Sequence, residues 1–418
     1  MLNILINAYA VAPNWGSEQG MGWNWVTNIA KFCNVFVITE GEWRKEIEEA
    51  VEKLPQKDNI HFYYNPISDR IRRMCWNQGD WRFYWYYHKW QKSTLRIARQ
   101  ICVEQKIDII HQLNMVGFRE PGQLWRIPDI PYVWGPLSGS ASIDFRYITS
   151  CKSKVKYFVK NILNWYQIRY LSKVRCAFKR ASVVITPLRE ERDLIKRLYD
   201  KDAVLISETG LSEGCVSLNK RVEHETLNLC WCGRFIESKK LDIALKTMAL
   251  LKDLPQIKLH IAGFGMNGED EHYKKLAKDL CVADQCVWYG KVSNDEIRKL
   301  MQKMDLFFFT SIYEITSTVV PEAIQNRLPI LCHDIMGFGA IVDESIGWKI
   351  PLISPEHSVS NFADKIRYIY NHREQLNEMR TNFDVMASKL TYESKAEHMI
   401  KIYEQEMKQH LEFLGERK

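Results

Sequence analysis

Four charged side chains in the second half of the chain have the types and spacing for chemistry on a phosphorylated ligand. Arg234 and Lys239 lie five residues apart in Gly233-Arg234-Phe235-Ile236-Glu237-Ser238-Lys239-Lys240, which follows an apolar strand and opens a helix. A turn there folds the two cations together. Arginine is a planar fork and lysine a point charge, a pairing suited to a diphosphate. Glu314 and Glu322 stand eight apart in Tyr313-Glu314-Ile315-Thr316-Ser317-Thr318-Val319-Val320-Pro321-Glu322. The first lies at the mouth of a strand-to-helix loop and the second inside the following helix. In a parallel sheet that mouth is the carboxyl edge, where ligands bind.

The elements that must hold these groups are legible from period and length. Strands are expected at 227–232, 257–262, 287–290, 306–309 and 328–332, with helices between them. Such a βαβ rhythm implies a parallel sheet covered on both faces. Gly263-Phe264-Gly265 ends one strand, and Lys291-Val292 follows another.

The first half has the same character. Its expected strands are 2–7, 35–39, 60–63, 107–111, 131–134, 182–186 and 203–206. After the first comes a loop with Gly16, Gly20 and Gly22, leading into a helix from Trp23. Glycines there either open backbone N–H groups to an anion or let helix pack on strand. His111 is expected to close its strand at the carboxyl edge. Arg119-Glu120-Pro121-Gly122 reads as a turn, and Gly135-Pro136-Leu137 as a loop at a strand end. His111, Arg119, Glu120 and Gly135 are therefore candidate acceptor contacts.

The order strand–Gly-Arg…Lys–helix, strand–Gly-Phe-Gly, strand–Gly-Lys, strand–Ser…Glu…Glu resembles the retaining GT-B glycosyltransferases of glycosyltransferase family 4, specifically a polysaccharide or O-antigen assembly branch. Their Glu-x7-Glu motif matches Glu314 and Glu322. Their Gly-Arg-x4-Lys motif matches Gly233, Arg234 and Lys239, and their Gly-x-Gly strand end matches Gly263 and Gly265. Gly16 to Trp23 and Trp134-Gly135-Pro136 resemble the branch more weakly. The resemblance implies an α/β fold with two Rossmann-like parallel-sheet domains facing a central cleft. It implies residues 1–207 as the acceptor domain, 208–390 as the nucleotide-sugar domain, and 391–418 as a helix packing back on the first.

By the same resemblance Arg234 and Lys239 bind the donor diphosphate and stabilise the leaving group, and Glu314 contacts the donor sugar. Glu322 accepts from ribose hydroxyls, and Val292 lies near the base. The backbone of Thr316, Ser317, Thr318 and Val319 faces the phosphates, with Gly16 a further donor contact. The donor is a nucleotide sugar such as a UDP- or GDP-sugar, and no cofactor or metal is expected. Three positions depart from the pattern. Lys240 and Ile315 stand where glycine is usual. Gly135-Pro136-Leu137 stands where many members have a histidine, a role either missing or moved to His111.

The 418 residues carry a net charge of +7 and eleven cysteines. An odd cysteine total without a leader-like N-terminus argues against a secreted disulfide framework, and no apolar run is long enough to span a bilayer. Cys230 and Cys232 read as one face of a buried strand. Asp200-Lys201-Asp202 matches a metal-binding DxD but lies at the wrong end of a strand, so chance is the favoured reading. From Phe145 to Arg180 there are ten Lys or Arg and no acid, and Arg70 to Arg99 mixes aromatics with bases. These stretches imply a peripheral, cytoplasmic protein on an anionic inner leaflet, with a glycan or lipid-linked acceptor and no nucleic acid. The competing readings are a nucleotide-sugar epimerase and a basic nucleic-acid-binding protein. The latter leaves the four charged residues unexplained.

Overall fold

The computed structural model describes residues 1–75, 82–212, 214–215, 225–266, 268–315 and 319–415. It divides into two compact units: 1–141, 162–208 and 392–418 form the first, and 142–161 with 209–391 form the second.

Seven parallel strands build the first unit: β1 (Asn3–Ala8), β2 (Asn34–Thr39), β3 (Ile60–Tyr64), β4 (Ile109–Asn114), β5 (Tyr132–Trp134), β6 (Val183–Thr186) and β7 (Ala203–Leu205). Their order is β3-β2-β1-β4-β5-β6-β7. Both faces are covered, so successive residues enter different cores. Ile4, Ile6, Val35 and Val37 pack with Trp25 and Ile29 of the Ser17–Ile29 helix and with Met399 and Tyr403 of the Tyr392–Gly415 helix. Leu5, Phe36 and Ile110 face the other way, against Ile101 and Phe178.

The second unit has β8 (Leu227–Cys232), β9 (Ile257–Ala262), β10 (Cys286–Gly290), β11 (Leu306–Phe309), β12 (Ile330–His333) and β13 (Gly347–Ile350). All pairings are parallel, in the order β10-β9-β8-β11-β12-β13. The order reverses between β8 and β11, which opens a crevice at their carboxyl ends.

Several expectations need correction. β4 runs on to Asn114, so His111 is a mid-strand residue and not its last. The polar continuation is tolerated because Asn7 donates to Gln112 Oε1 at 2.8 Å and Asn114 donates to the Ala10 carbonyl at 2.8 Å. β13 was not expected, because Gly347-Trp348-Lys349-Ile350 contains neither an apolar run nor an alternation. Residues 142–161 cluster with the second unit and not with 1–207. Ile143, Tyr147 and Ile148 are buried in the second core, and Tyr147 Oη lies 2.7 Å from Ser358 Oγ.

The aromatic–basic stretch is in large part an ordinary packed helix. In Arg82–Glu104, Tyr87, Trp90, Ala98 and Ile101 are buried, while Tyr84 and Trp85 are exposed. Trp76 and Trp81 lie outside the described residues. Asp200 and Asp202 both pair with Lys196, at 3.0 and 3.2 Å.

Candidate functional site

At the β8–β11 switch point two of the sequence-selected charges, Lys239 and Glu314, meet. The 3₁₀ turn Glu237–Lys239 follows β8, and the end of β11 grips it. Thr310 Oγ1 donates toward the Lys239 and Lys240 carbonyls at 2.9 and 3.0 Å and accepts from Trp231 Nε1 at 2.9 Å. The Ile312 N–H and the Ser311 hydroxyl both donate to the Ser238 carbonyl. With its backbone fixed, Lys239 reaches Glu314, and its Nζ forms an ion pair with Oε2. The same ammonium lies 5.3 Å from the centre of the Phe309 ring.

Glu322 occupies the Val319–Gln325 helix. Burial raises its pKa, with Arg298 opposing. Its charge and that of Lys239 both act on the buried Cys232 thiol at the end of β8, which burial pushes up to about 12. Glu322 and Lys239 are therefore near the same strand end. Arg234 is exposed. Val292 is half-buried just before the Ser293 cap of the Asn294–Met301 helix, where Ser293 and Glu296 form a capping box. Val319 begins its helix, while Thr316, Ser317 and Thr318 lie outside the described residues.

The glycines play different parts. A Cβ on Gly263 would stand 2.0 Å from the Gly233 carbonyl oxygen, so this position is demanded by close packing of β9 on the turn after β8. On Gly265 it would meet the Glu269 carboxylate at 2.5 Å, whereas on Gly233 the nearest atom, Lys239 Cδ, is at 3.5 Å. Lys240, where glycine is usual, has φ +54°, the left-handed conformation glycine adopts freely. Its side chain is buried and paired with Asp242 at 3.1 Å.

Sequence reasoning missed the residues that brace this site. Thr310 and Ser311 carry a signal, being small polar residues at a buried strand's carboxyl end. His333 carries none. Burial pushes its pKa down to about 4, so the ring is neutral. Nδ1 then donates to the Ser311 carbonyl at 3.2 Å and Nε2 accepts from Ser358 at 2.9 Å. Lys160 donates to Tyr313 Oη at 2.9 Å, so this base is a brace beside Glu314 and not part of a solvated face.

In the first unit the acceptor candidates are largely structural. His111 is fully buried, with Nδ1 2.6 Å from Tyr403 Oη and Nε2 2.6 Å from the Gly135 carbonyl. Burial pushes its pKa down to about 4, and both ring nitrogens are engaged within the core, which makes it a structural histidine in this fold. Gly135, at φ +138°, sits against the Ile185 carbonyl and is a packing glycine. Arg119 donates to Gln167 at 2.8 Å and to Asn164, and Glu120 pairs with Lys173 at 2.5 Å. A Cβ on Gly20 or Gly22 would collide with a backbone carbonyl, whereas Gly16 is open and exposed at the helix N-terminus.

Glu191 is the buried carboxyl that ties the loop after β5 to β6. It accepts from the Ser140 N–H at 2.7 Å, the Ser140 hydroxyl at 2.9 Å and the Thr186 hydroxyl at 2.9 Å. Burial outweighs these bonds and pushes its pKa up from 4.5 to about 7. A carboxyl raised on folding contributes stability that is complete below its unfolded pKa and is lost as pH rises through the folded one. The wild type therefore loses stability between about pH 4.5 and 7 through this group. Glu191→Gln removes the titration. Its stability relative to wild type is expected to rise across that window by on the order of 3 kcal/mol, measured by urea unfolding at pH 5 and pH 8.

Residues 219–384 match the family model described as Glycosyl transferases group 1. An uncharacterized glycosyltransferase of Methanocaldococcus jannaschii is 24% identical over 157 residues, which is 37% of this chain and 39% of that protein. The alpha-galactosylglucosyldiacylglycerol synthase of Streptococcus pneumoniae is 23% identical over 272 residues, or 61% of this chain and 67% of that one. Among solved structures, the sucrose-phosphate synthase of Thermosynechococcus elongatus superposes with a TM-score of 0.60 at 12% identity, over 97% of this chain and 99% of that one. The fold is thus GT-B, two Rossmann-like parallel-sheet units. The stretch that matches the group 1 glycosyl transferase model lies within the second unit.

Proposed function

We propose that this protein is a retaining glycosyltransferase, moving a sugar from a UDP- or GDP-sugar to a glycan or lipid-linked glycan in cell-surface polysaccharide assembly. The observation that carries the reading is the pairing of Lys239 with Glu314 at the β8–β11 switch point. As the sugar–phosphate bond breaks, negative charge grows on the departing diphosphate. Arg234 and Lys239 meet that charge, and a cation held in place stabilises it most at the transition state. Glu314 then orients Lys239 and accepts from the sugar, and Glu322 accepts from the ribose. The two cations supply the positive charge without a metal, so activity should persist in EDTA.

Calorimetric titration with UDP and GDP tests the reading. Glu322→Ala should weaken the better nucleotide by about 1.5–3 kcal/mol, since hydrogen bonds to a carboxylate are of that size. Wild-type affinity in the variant would remove Glu322 from the donor site.

The lipid-linked acceptor rests on the Cys151–Tyr170 helix, where Val155, Phe158, Val159, Ile162 and Tyr166 are all exposed at helical spacing. Lys152, Lys154 and Lys156 are exposed among them. Such a helix suits the headgroup region of an anionic leaflet, where each base adds about 1 kcal/mol. The Streptococcus pneumoniae relative, by name a diacylglycerol-glycolipid synthase, supports this reading. No helix among the described residues is long and apolar enough to cross a membrane. Reversing Lys152, Lys154 and Lys156 to Glu should release the protein from phosphatidylglycerol vesicles in co-sedimentation. Undiminished pelleting would end the docking idea.

A further inference from the structure

Glu237 opens the turn that ends in Lys239, yet its carboxylate bonds to a distant part of the chain. Oε1 accepts from the Thr149 N–H at 2.6 Å, the Thr149 hydroxyl at 3.0 Å and the Ser150 N–H at 3.0 Å. These two residues lead into the Cys151–Tyr170 helix. Burial opposes charge on Glu237, but hydrogen bonds from Ser153, Ser150 and Thr149 prevail and hold its carboxyl below the usual range. The same helix reaches the loop after β11, where Lys160 donates to Tyr313, the residue before Glu314. Each half of the Lys239–Glu314 pair is thus tied, through a near neighbour in sequence, to the stretch 149–160. All of these residues belong to the second unit.

Capping the helix does not by itself require this carboxylate. The Ser150 carbonyl already accepts the first helical bond, from the Lys154 N–H at 2.9 Å, and its hydroxyl accepts from the Ser153 N–H at 3.4 Å. What Glu237 adds is a seat for the turn. Thr310, Ser311 and Ile312 hold the carbonyls of Ser238, Lys239 and Lys240, and Glu237 holds the turn's first residue.

We infer that Glu237 is a positioning residue for the transfer: seated on Thr149 and Ser150, it fixes the turn that aims Lys239 at the departing diphosphate. The inference rests on the glycosyltransferase reading and deepens it, naming a residue that acts through Lys239. In the transfer the anomeric C–O bond breaks with its electron pair left on the diphosphate. An acceptor hydroxyl forms the new C–O bond and gives up its proton. A fixed cation helps only where that charge develops, so a turn displaced by about 1 Å costs up to about 10²-fold in rate.

The test offers UDP-glucose, UDP-galactose, UDP-N-acetylglucosamine and GDP-mannose to the full chain with water as acceptor and follows release of UDP or GDP. Glu237→Ala should lower kcat by about 10–10²-fold with KM within about twofold of wild type, because the loss falls on the transition state. Ser150 keeps the helix capped in this variant. Glu237→Gln, whose amide oxygen still accepts from Thr149 and Ser150, should return kcat to within about fivefold of wild type. In a Lys239→Met background, Glu237→Ala should cost no more than about a further twofold, since residues acting as one unit are not additive. A merely structural carboxylate gives the same loss in both backgrounds, and that result would overturn the inference. So would a Glu237→Ala kcat equal to that of wild type. Hydrogen exchange at residues 236–241 is the arm independent of turnover: it should quicken in Glu237→Ala, and unchanged exchange would also sink the positioning role. If UDP or GDP binds the wild type in calorimetry while the Glu237 pattern fails, only that role is lost. If neither nucleotide binds and no donor is turned over, the broader reading is lost and this inference with it.

Discussion

Under the proposed sugar transfer, Lys239→Met is expected to lower kcat by about 10²–10³-fold, the loss that follows removal of one preorganised donor from a site of developing charge. Release of nucleoside diphosphate at saturating donor provides the measurement. Three contacts fix this lysine before any ligand arrives: Thr310 on its carbonyl, Glu314 on its ammonium and the Phe309 ring beneath. A cation so held needs no reorganisation when the diphosphate departs, so its contribution falls on turnover more than on ground-state binding. Methionine keeps most of the stem and removes the charge. The fold should tolerate it, because Glu314 retains 21% of its side-chain exposure and water can solvate it in place of the lost partner. A kcat within twofold of wild type, with only KM raised, would reduce Lys239 to a binding group.

The parts of this architecture that were legible were those written in local pattern. Leu306–Phe309 is a continuous apolar run because a central parallel strand is buried on both faces, and small polar residues follow it where the edge opens. Lys239 and Glu314 lie just beyond two such runs, and the ion pair between them joins the ends of β8 and β11. Polar residues buried by distant partners were not legible. Gln112 and Asn114 look like a strand's end until Asn7 and Ala10 are seen to satisfy them. That error made His111 a mouth residue when it is a core one. Tyr147 joins the second unit through Ser358, 211 positions away, which no periodicity records. The carboxyl-edge rule that singled out Glu314 also applies to Glu40-Gly41-Glu42-Trp43 after β2.

Gly263→Ala should destabilise the second unit by about 1–3 kcal/mol or more, the cost of forcing a methyl group into a filled space. Urea unfolding should show a lower midpoint with an unchanged slope. The obstruction is the Gly233 carbonyl oxygen, 2.0 Å from the new carbon, with Phe235 Cε1 at 3.0 Å. No rotamer change relieves a clash with backbone. Both sides are also pinned: Gly263 donates to the Gly290 carbonyl at 2.9 Å, and Gly233 donates to the Ala262 carbonyl at 3.0 Å. Relief therefore requires the ends of β8 and β9 to part, which carries Arg234 and the Lys239 turn with them. Gly233→Ala is the matched control. Its new carbon meets Lys239 Cδ at 3.5 Å, an ordinary contact with a flexible stem. It should leave the stability within about 1 kcal/mol of wild type, the usual cost of a tolerated volume change. If the two substitutions cost the same, the close approach of the two turns is not what demands glycine at 263. In that case the Gly-x-Gly signature marks this chain for access to the donor rather than for packing.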